Sequence, residues 1–267
     1  MGGRSHLRLD TSNKVTTMNY KGREKMPWIE KEYNCGNCII VKKGYASRYG
    51  AKKEIAHITN KTTEIQQRVN DRNAMFRYSI LANANFKKGD FFITYTFRKS
   101  FLPPSVKDCK KLWAKYRRKI RNYYKKLGFE FKYIYAFEHE GVRPHFHMLF
   151  NNPGINIADL PQWEFGIAHI ECLDDREYHS IGEYFVKIAY DVDNPDCKGK
   201  GELGCSRNLY RPEPDIKILE GPNWDDQPEE REGYEIDYDS LENGYVEVIE
   251  NHLTFRFQTF RYIRLIV

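Results

Sequence analysis

Between Lys132 and Asn152 the chain reads KYIYAFEHEGVRPHFHMLFNN, two runs of alternating residues separated by a short polar turn. A period of two is the signature of a β-strand, so the stretch is expected to form two strands joined by a turn. Along the second run His145, His147 and Leu149 point one way, and Phe146, Met148 and Phe150 the other. On the first run Tyr133, Tyr135 and Phe137 share one parity, and Ile134, Ala136 and Glu138 the opposite one. If the aromatic face is buried, Glu138 joins the two imidazoles. Two nitrogens and one carboxylate on one sheet face are the donor set of a divalent-metal site with open positions. Two histidines on a solvated face produce the same pattern, and the His-x-His alone does not choose.

A chain of 267 residues holds one large domain, or one domain with a small appendage. With 19 Tyr and 16 Phe it has the material for a core. No run approaches 18 consecutive apolar residues and the first residues are polar and basic, so neither a membrane span nor a secretory signal is expected. Met1-Gly2 starts like a myristoylation site, but His6 stands where Ser or Thr is required. Six cysteines without a secretory signal point to a reducing compartment, and the expected location is cytoplasmic. Cys35-x-x-Cys38 is the one close pair; Cys197 and Cys205, with seven residues between them, are too widely spaced to complete a usual zinc motif. Free thiols are the expectation.

The net charge of +6 conceals an asymmetry. From Glu213 to Glu250 there are 14 acidic and two basic residues, a net of −12, which leaves +18 on the rest of the chain. A body of that sign suits a polyanionic partner.

Taken in order, residues 1–30 read as a flexible basic arm and 31–72 as a basic N-terminal extension, partly helical in pattern. There Lys42, Lys43, Arg48, Lys52 and Lys53 interleave with Tyr45 and Tyr49, either a DNA-backbone surface or an exposed helix face. Residues 73–212 form the main domain. Phe76–Phe86 and Phe91–Phe97 flank Gly89-Asp90 and read as a β-hairpin. Ser105 caps a helix expected over Val106–Leu127, with a stripe of Leu112, Tyr116, Ile120, Tyr123 and Leu127 and Gly128 closing it. From Lys110 onward its other faces carry nine cations and no acid. Ile167–Leu173 is a further strand and Arg176–Asp191 a second helix. Residues 213–252 read as an acidic loop segment, and Leu253–Val267 as a last strand added to the same sheet. The fold class this order defines is α+β, a central antiparallel sheet with helices packed on one face, of the kind an RRM-like palm shows.

In the second helix Tyr184 and Lys187 are three residues apart and share a face, whereas Tyr190 lies about 240° round from Tyr184. With that helix, the order of motifs resembles the HUH superfamily of single-strand DNA nicking enzymes, and within it the rolling-circle replication initiators (Rep proteins) of bacterial phages and plasmids. Ile93-Thr-Tyr-Thr-Phe97, Arg143-Pro-His-Phe-His-Met-Leu-Phe150 and Glu183-Tyr-Phe-Val-Lys187 match the three family motifs in order, and Ser206-Arg-Asn-Leu-Tyr-Arg-Pro212 resembles a segment that often follows them.

The resemblance implies an HUH/Rep nuclease fold and a metal held by His145, His147 and Glu138, with Glu140 as the alternative third ligand. Mn²⁺ is favoured by the donor set and Mg²⁺ by abundance. It implies attack by Tyr184 on a single-stranded or extruded origin, giving a 5′-phosphotyrosine whose bond energy permits rejoining, with Lys187 assisting. Lys110, Lys111, Lys115, Arg118, Lys119, Arg143 and Arg207 are expected to contact DNA. Thr94 and Thr96 read as strand residues. No P-loop is present, so unwinding and synthesis fall to a host helicase and polymerase. Three other readings are a non-catalytic module with an RRM-like sheet, a transposase or relaxase of the same chemistry, and a hydrolytic metallonuclease.

Overall fold

The computed structural model describes residues 27–46, 64–139, 142–173, 175–190, 202–248 and 253–265. The arm expected over 1–30 lies outside them up to residue 26, as do Arg48, Tyr49, Lys52, Lys53, Glu140 and Cys197. The described elements are three α-helices and two antiparallel five-stranded sheets, an α+β architecture as expected.

The chain opens with β1 (Trp28–Asn34) and β2 (Cys38–Tyr45), paired through a turn in which Gly36 takes a φ of 88°. A long helix α1 (Glu64–Asn85) follows, then β3 (Phe91–Phe97), α2 (Val106–Lys126), β4 (Tyr133–Glu138), β5 (His145–Phe150), β6 (Gly166–Glu171) and α3 (Asp175–Tyr190). The described chain ends with β7 (Glu202–Cys205), β8 (Asp215–Leu219), β9 (Tyr234–Val248) and β10 (Leu253–Arg264). One sheet has the order β6-β3-β5-β4-β7 and carries the His-x-His strand at its centre; the other runs β8-β1-β2-β10-β9.

Helices cover both faces of the central sheet, not one. On the first face Trp113, Tyr116, Ile120 and Tyr124 of α2 pack on Tyr95, Phe97, Phe137, Phe146 and Phe150. Trp113 stacks on Phe146 at 4.3 Å, and Phe137 stacks on Phe146 at 4.2 Å. Such pairs add about 0.5–1.5 kcal/mol each beyond the area they bury. The helix begins as expected, with the Ser105 hydroxyl accepting from the Asp108 N–H at 3.2 Å. Its buried stripe is rotated from the expected one: Cys109, Trp113 and Tyr124 are buried, and Leu127 is exposed. On the opposite face Ile181, Phe185 and Ala189 of α3 and Ala82 of α1 cover Phe92, Ile134, Ala136 and Leu149.

Residues 76–86 are helical rather than the first arm of a hairpin, up to Asn85. Their alternation is two helical series interleaved. Phe76, Ile80 and Ala84, four apart, face Cys35, Cys38 and Ile40 of the second sheet. Tyr78, Ala82 and Phe86, again four apart, face α3 and the central sheet. A helix buried on two sides thus produces an apparent period of two. Helices α1 and α3 approach closely at Gly182, where a Cβ would overlap the Tyr78 carbonyl. The same contact is locked by Asn83, whose Nδ2 donates to the His179 carbonyl at 3.0 Å and whose Oδ1 meets His179 Nδ1 at 2.6 Å.

The described part of the segment expected as an acidic loop contains β8 and β9, and the last strand does not join the central sheet. β10 pairs with β2 and β9 in the second sheet, while β7 takes the free edge of β4. Phe260 and Tyr262 of β10 pack with Ile39 and Val41, an apolar surface that the central sheet, covered on both faces, does not offer. Several acids of this segment pair with arginines: Asp226 with Arg256 at 2.6 Å, Asp237 with Arg261 at 3.0 Å, and Glu242 with Arg72 at 3.0 Å. Residues 31–45, expected in a partly helical extension, form the β1–β2 hairpin because Ile39, Ile40 and Val41 must bury on opposite faces.

Candidate active site

The β4–β5 register sets Glu138 directly opposite His145 and Ala136 opposite His147. The parity argument therefore holds: Glu138, His145 and His147 share the face opposite α2. His145 Nε2 lies 3.2 Å, and His147 Nε2 3.8 Å, from Glu138 Oε2. These three are the one group among the described residues whose donor atoms converge closely enough to hold a metal ion. The two rings stand 4.8 Å apart at 73°.

Hydrogen bonding at the far side of each ring supports that reading. His145 Nδ1 lies 2.7 Å from the Arg143 carbonyl. A carbonyl only accepts, so Nδ1 carries a proton, and Nε2 is the ring atom that faces Glu138. His147 Nδ1 lies 2.9 Å from the Thr94 hydroxyl, which in turn is 3.0 Å from Glu171 Oε1. Burial, and secondarily His145, push the His147 pKa down to about 4, so its imidazole is neutral at pH 7. Two imidazole nitrogens and a carboxylate converging on one point form a donor set that could hold a divalent ion.

Tyr184 projects from α3 over this cluster. Its ring meets that of His147 edge-on at 5.9 Å and 88°, and that of Phe92 at 6.0 Å. It is 38% exposed, unlike the core tyrosines beside it. Burial first, then the carboxylates of Glu171 and Glu138, raise its phenol pKa above the ordinary value, so deprotonation there needs a compensating cation. Tyr190 is half-buried in the core with Tyr78, on the other side of the helix. Lys187 is exposed one turn beyond Tyr184.

The expected DNA-binding residues are distributed differently. Helix α2 lies on the face away from the imidazoles, so its cations do not line the Glu138–His145–His147 group. Lys110 pairs with Glu202, Lys111 with Asp108 at 2.9 Å and Lys119 with Glu164 at 2.6 Å; Lys115 and Arg118 are exposed. Arg143 is exposed next to the site and fixes His145 through its carbonyl. Arg207 is exposed in a segment that anchors the fold: the Ser206 hydroxyl accepts from the Tyr133 N–H at 3.1 Å, and Asn85 bonds both backbone groups of Tyr210. Cys35 and Cys38 are buried free thiols.

Sequence reasoning missed Glu171, Glu183 and Arg261. Arg261, 3% exposed on β10, lies between Asp237 and Glu183, the residue before Tyr184. Only the register of β3 with β5 and β6 reveals that Thr94, paired with both His147 and His169, sits beside the Glu138–His145–His147 group.

Residues 90–189, from the start of the His-x-His sheet to the end of the tyrosine helix, match the family model of the replication-associated protein ORF2/G2P. No curated protein and no solved structure matches the chain. The match supports a replication-associated role. Among the described residues no helix is long and apolar enough to cross a membrane.

Proposed function

We propose that this protein is a rolling-circle replication initiator of the HUH class that nicks a single-stranded or extruded origin by attack of Tyr184. The observation that carries the reading is the position of Tyr184, edge-on to His147 above the convergence of Glu138, His145 and His147. A replication-associated family match over these same elements supports it.

His145, His147 and Glu138 would hold the divalent ion. When bound, that ion supplies charge neutralisation at the scissile phosphate and an electrostatic pull on the phenolate. The Tyr184 oxygen forms a bond to phosphorus as the P–O3′ bond breaks, and the proton lost by the phenol appears on the released 3′-hydroxyl. The product is a 5′-phosphotyrosine that the 3′-hydroxyl can attack in reverse, so ends are rejoined without an external energy source. Phe92 and His147 hold the Tyr184 ring from two sides and fix its approach. Lys187 and Arg143, both exposed, would meet DNA phosphates. Lys115, Arg118 and Arg207, with Lys110, Lys111 and Lys119 once released from their surface pairs, would contact flanking DNA beyond the cleavage point. Host helicase and polymerase supply unwinding and synthesis.

The test is a denaturing gel of protein with Mn²⁺ and labelled single-stranded DNA containing the origin, or a pool of sequences. A covalent protein–DNA band present in the wild type and absent in Tyr184→Phe is expected. Free cleaved DNA that persists in Tyr184→Phe would replace the reading with a hydrolytic nuclease.

A further inference from the structure

Thr94 Oγ lies 2.9 Å from His147 Nδ1 and 3.0 Å from Glu171 Oε1. A threonine hydroxyl has one proton, and a carboxylate only accepts. The hydroxyl proton therefore goes to Glu171, and the contact to His147 requires a proton from the ring: Nδ1–H donates to Thr94. That assignment leaves the lone pair on Nε2, the atom that faces Glu138 Oε2. The alternative tautomer would place Nε2–H toward Glu138 and abolish the ligand. One proton on a strand residue thus decides whether His147 can bind a metal.

We propose that Thr94 and Glu171 are positioning residues that hold His147 in its ligating tautomer and ring orientation. The strand register makes the arrangement rigid. Thr94 pairs with His147 on one side and with His169 on the other, which brings Glu171, two residues farther along β6, within reach. His145 needs no such device, since the Arg143 carbonyl fixes its tautomer directly. The two imidazoles are set by different means, one by local backbone and one by a side chain relay across three strands.

The metal-binding part of this inference rests on the reading of Glu138, His145 and His147 as metal ligands; the tautomer itself does not. The experiment has two arms. In chelator-treated protein, ¹⁵N NMR of the histidine side chains, with His147 assigned by its loss in His147→Gln, reads the tautomer. Calorimetric titration with Mn²⁺ alone reads affinity. Wild type is expected to show Nδ1–H at His147, and Thr94→Val to show Nε2–H with Mn²⁺ affinity about 10- to 100-fold lower. Thr94→Ser restores both. Glu171→Ala frees the hydroxyl proton to turn toward the ring, so a fraction of Nε2–H appears. Nε2–H in the wild type, or Nδ1–H retained in Thr94→Val, overturns the proposal. An effect of Thr94→Val with none of Glu171→Ala overturns the part assigned to Glu171. A wild type with the expected tautomer but no Mn²⁺ binding overturns the metal-ligand reading instead, with the relay upheld.

Discussion

Nη2 of Arg261, on the last strand of the second sheet, stands 3.7 Å from Oε1 of Glu183, the residue immediately before Tyr184. The same guanidinium donates from Nε to Asp237 at 3.0 Å and from Nη1 to the His179 carbonyl, so β10 grips the helix of the proposed nucleophile at two successive turns. Burial raises the Glu183 pKa, and Arg261 first, then a hydrogen bond from Ser79, act against the rise.

Removing one member of a buried ion pair leaves an unpaired charge, at a cost of about 3–5 kcal/mol. Arg261→Met is expected to lose stability of that order in urea unfolding. Adding Glu183→Gln and Asp237→Asn to Arg261→Met should recover part of the loss. Recovery would distinguish an unpaired-charge penalty from a simple packing defect, which the additional changes would not repair.

Gly182 permits the close crossing of α1 and α3. Gly182→Val forces a side chain against the Tyr78 carbonyl, and overpacking of this kind costs about 1–3 kcal/mol. The expected result is a lower urea midpoint together with a reduced yield of covalent DNA adduct per folded molecule, because the displaced helix carries Tyr184.

His147 gives the metal-free protein a pH dependence. Its folded pKa is about 4 against an ordinary 6.5. The unfolded chain therefore binds a proton that the folded one refuses between those values. The contribution is fully present above about pH 6.5 and is lost as pH falls through 4; at 1.36 kcal/mol per unit it amounts to about 3 kcal/mol. In chelator, the stability difference between wild type and His147→Gln should shift by roughly that amount between pH 7.5 and pH 4. A difference that is flat with pH would contradict the burial of a neutral imidazole.

The α+β class and α2 could be read directly, α2 because it buries one face and so shows one clean period; the β4–β5 pair could be read because aromatic residues alternate with Glu138, His145 and His147 along it. The proposed metal ligands could be grouped from the same alternation: Glu138, His145 and His147 lie within ten positions of each other on two adjacent strands, and parity alone puts them together. Helix α1 was misread since Phe76, Tyr78, Ile80, Ala82, Ala84 and Phe86 bury toward two different neighbours and merge into an alternation. The second sheet was hidden by the acids of β9, whose roles depend on Arg72 and Arg261, far away in sequence. Glu171 became visible only through strand register, because nothing near it in sequence marks its contact with Thr94. The basic helix misled by composition: its charge is real, but which sheet face it covers is decided by Trp113 against Phe146.

A bound divalent ion should stabilise the fold through the three ligands. At a hundredfold excess over Kd the gain is about 2.7 kcal/mol. Mn²⁺ is expected to raise the melting temperature of wild type and of Tyr184→Phe alike, and to leave His145→Ala and Glu138→Ala unmoved. A rise that survives in both ligand variants would place the ion elsewhere.

The central claim is the covalent role of Tyr184, and peptide mapping of the protein–DNA adduct by mass spectrometry tests it most directly. After reaction with Mn²⁺ and origin DNA, nuclease trimming and proteolysis, the account predicts a nucleotide remnant linked through phosphate to Tyr184. A remnant on Tyr190, or cleaved DNA with a free 5′-phosphate and unmodified protein, would contradict it.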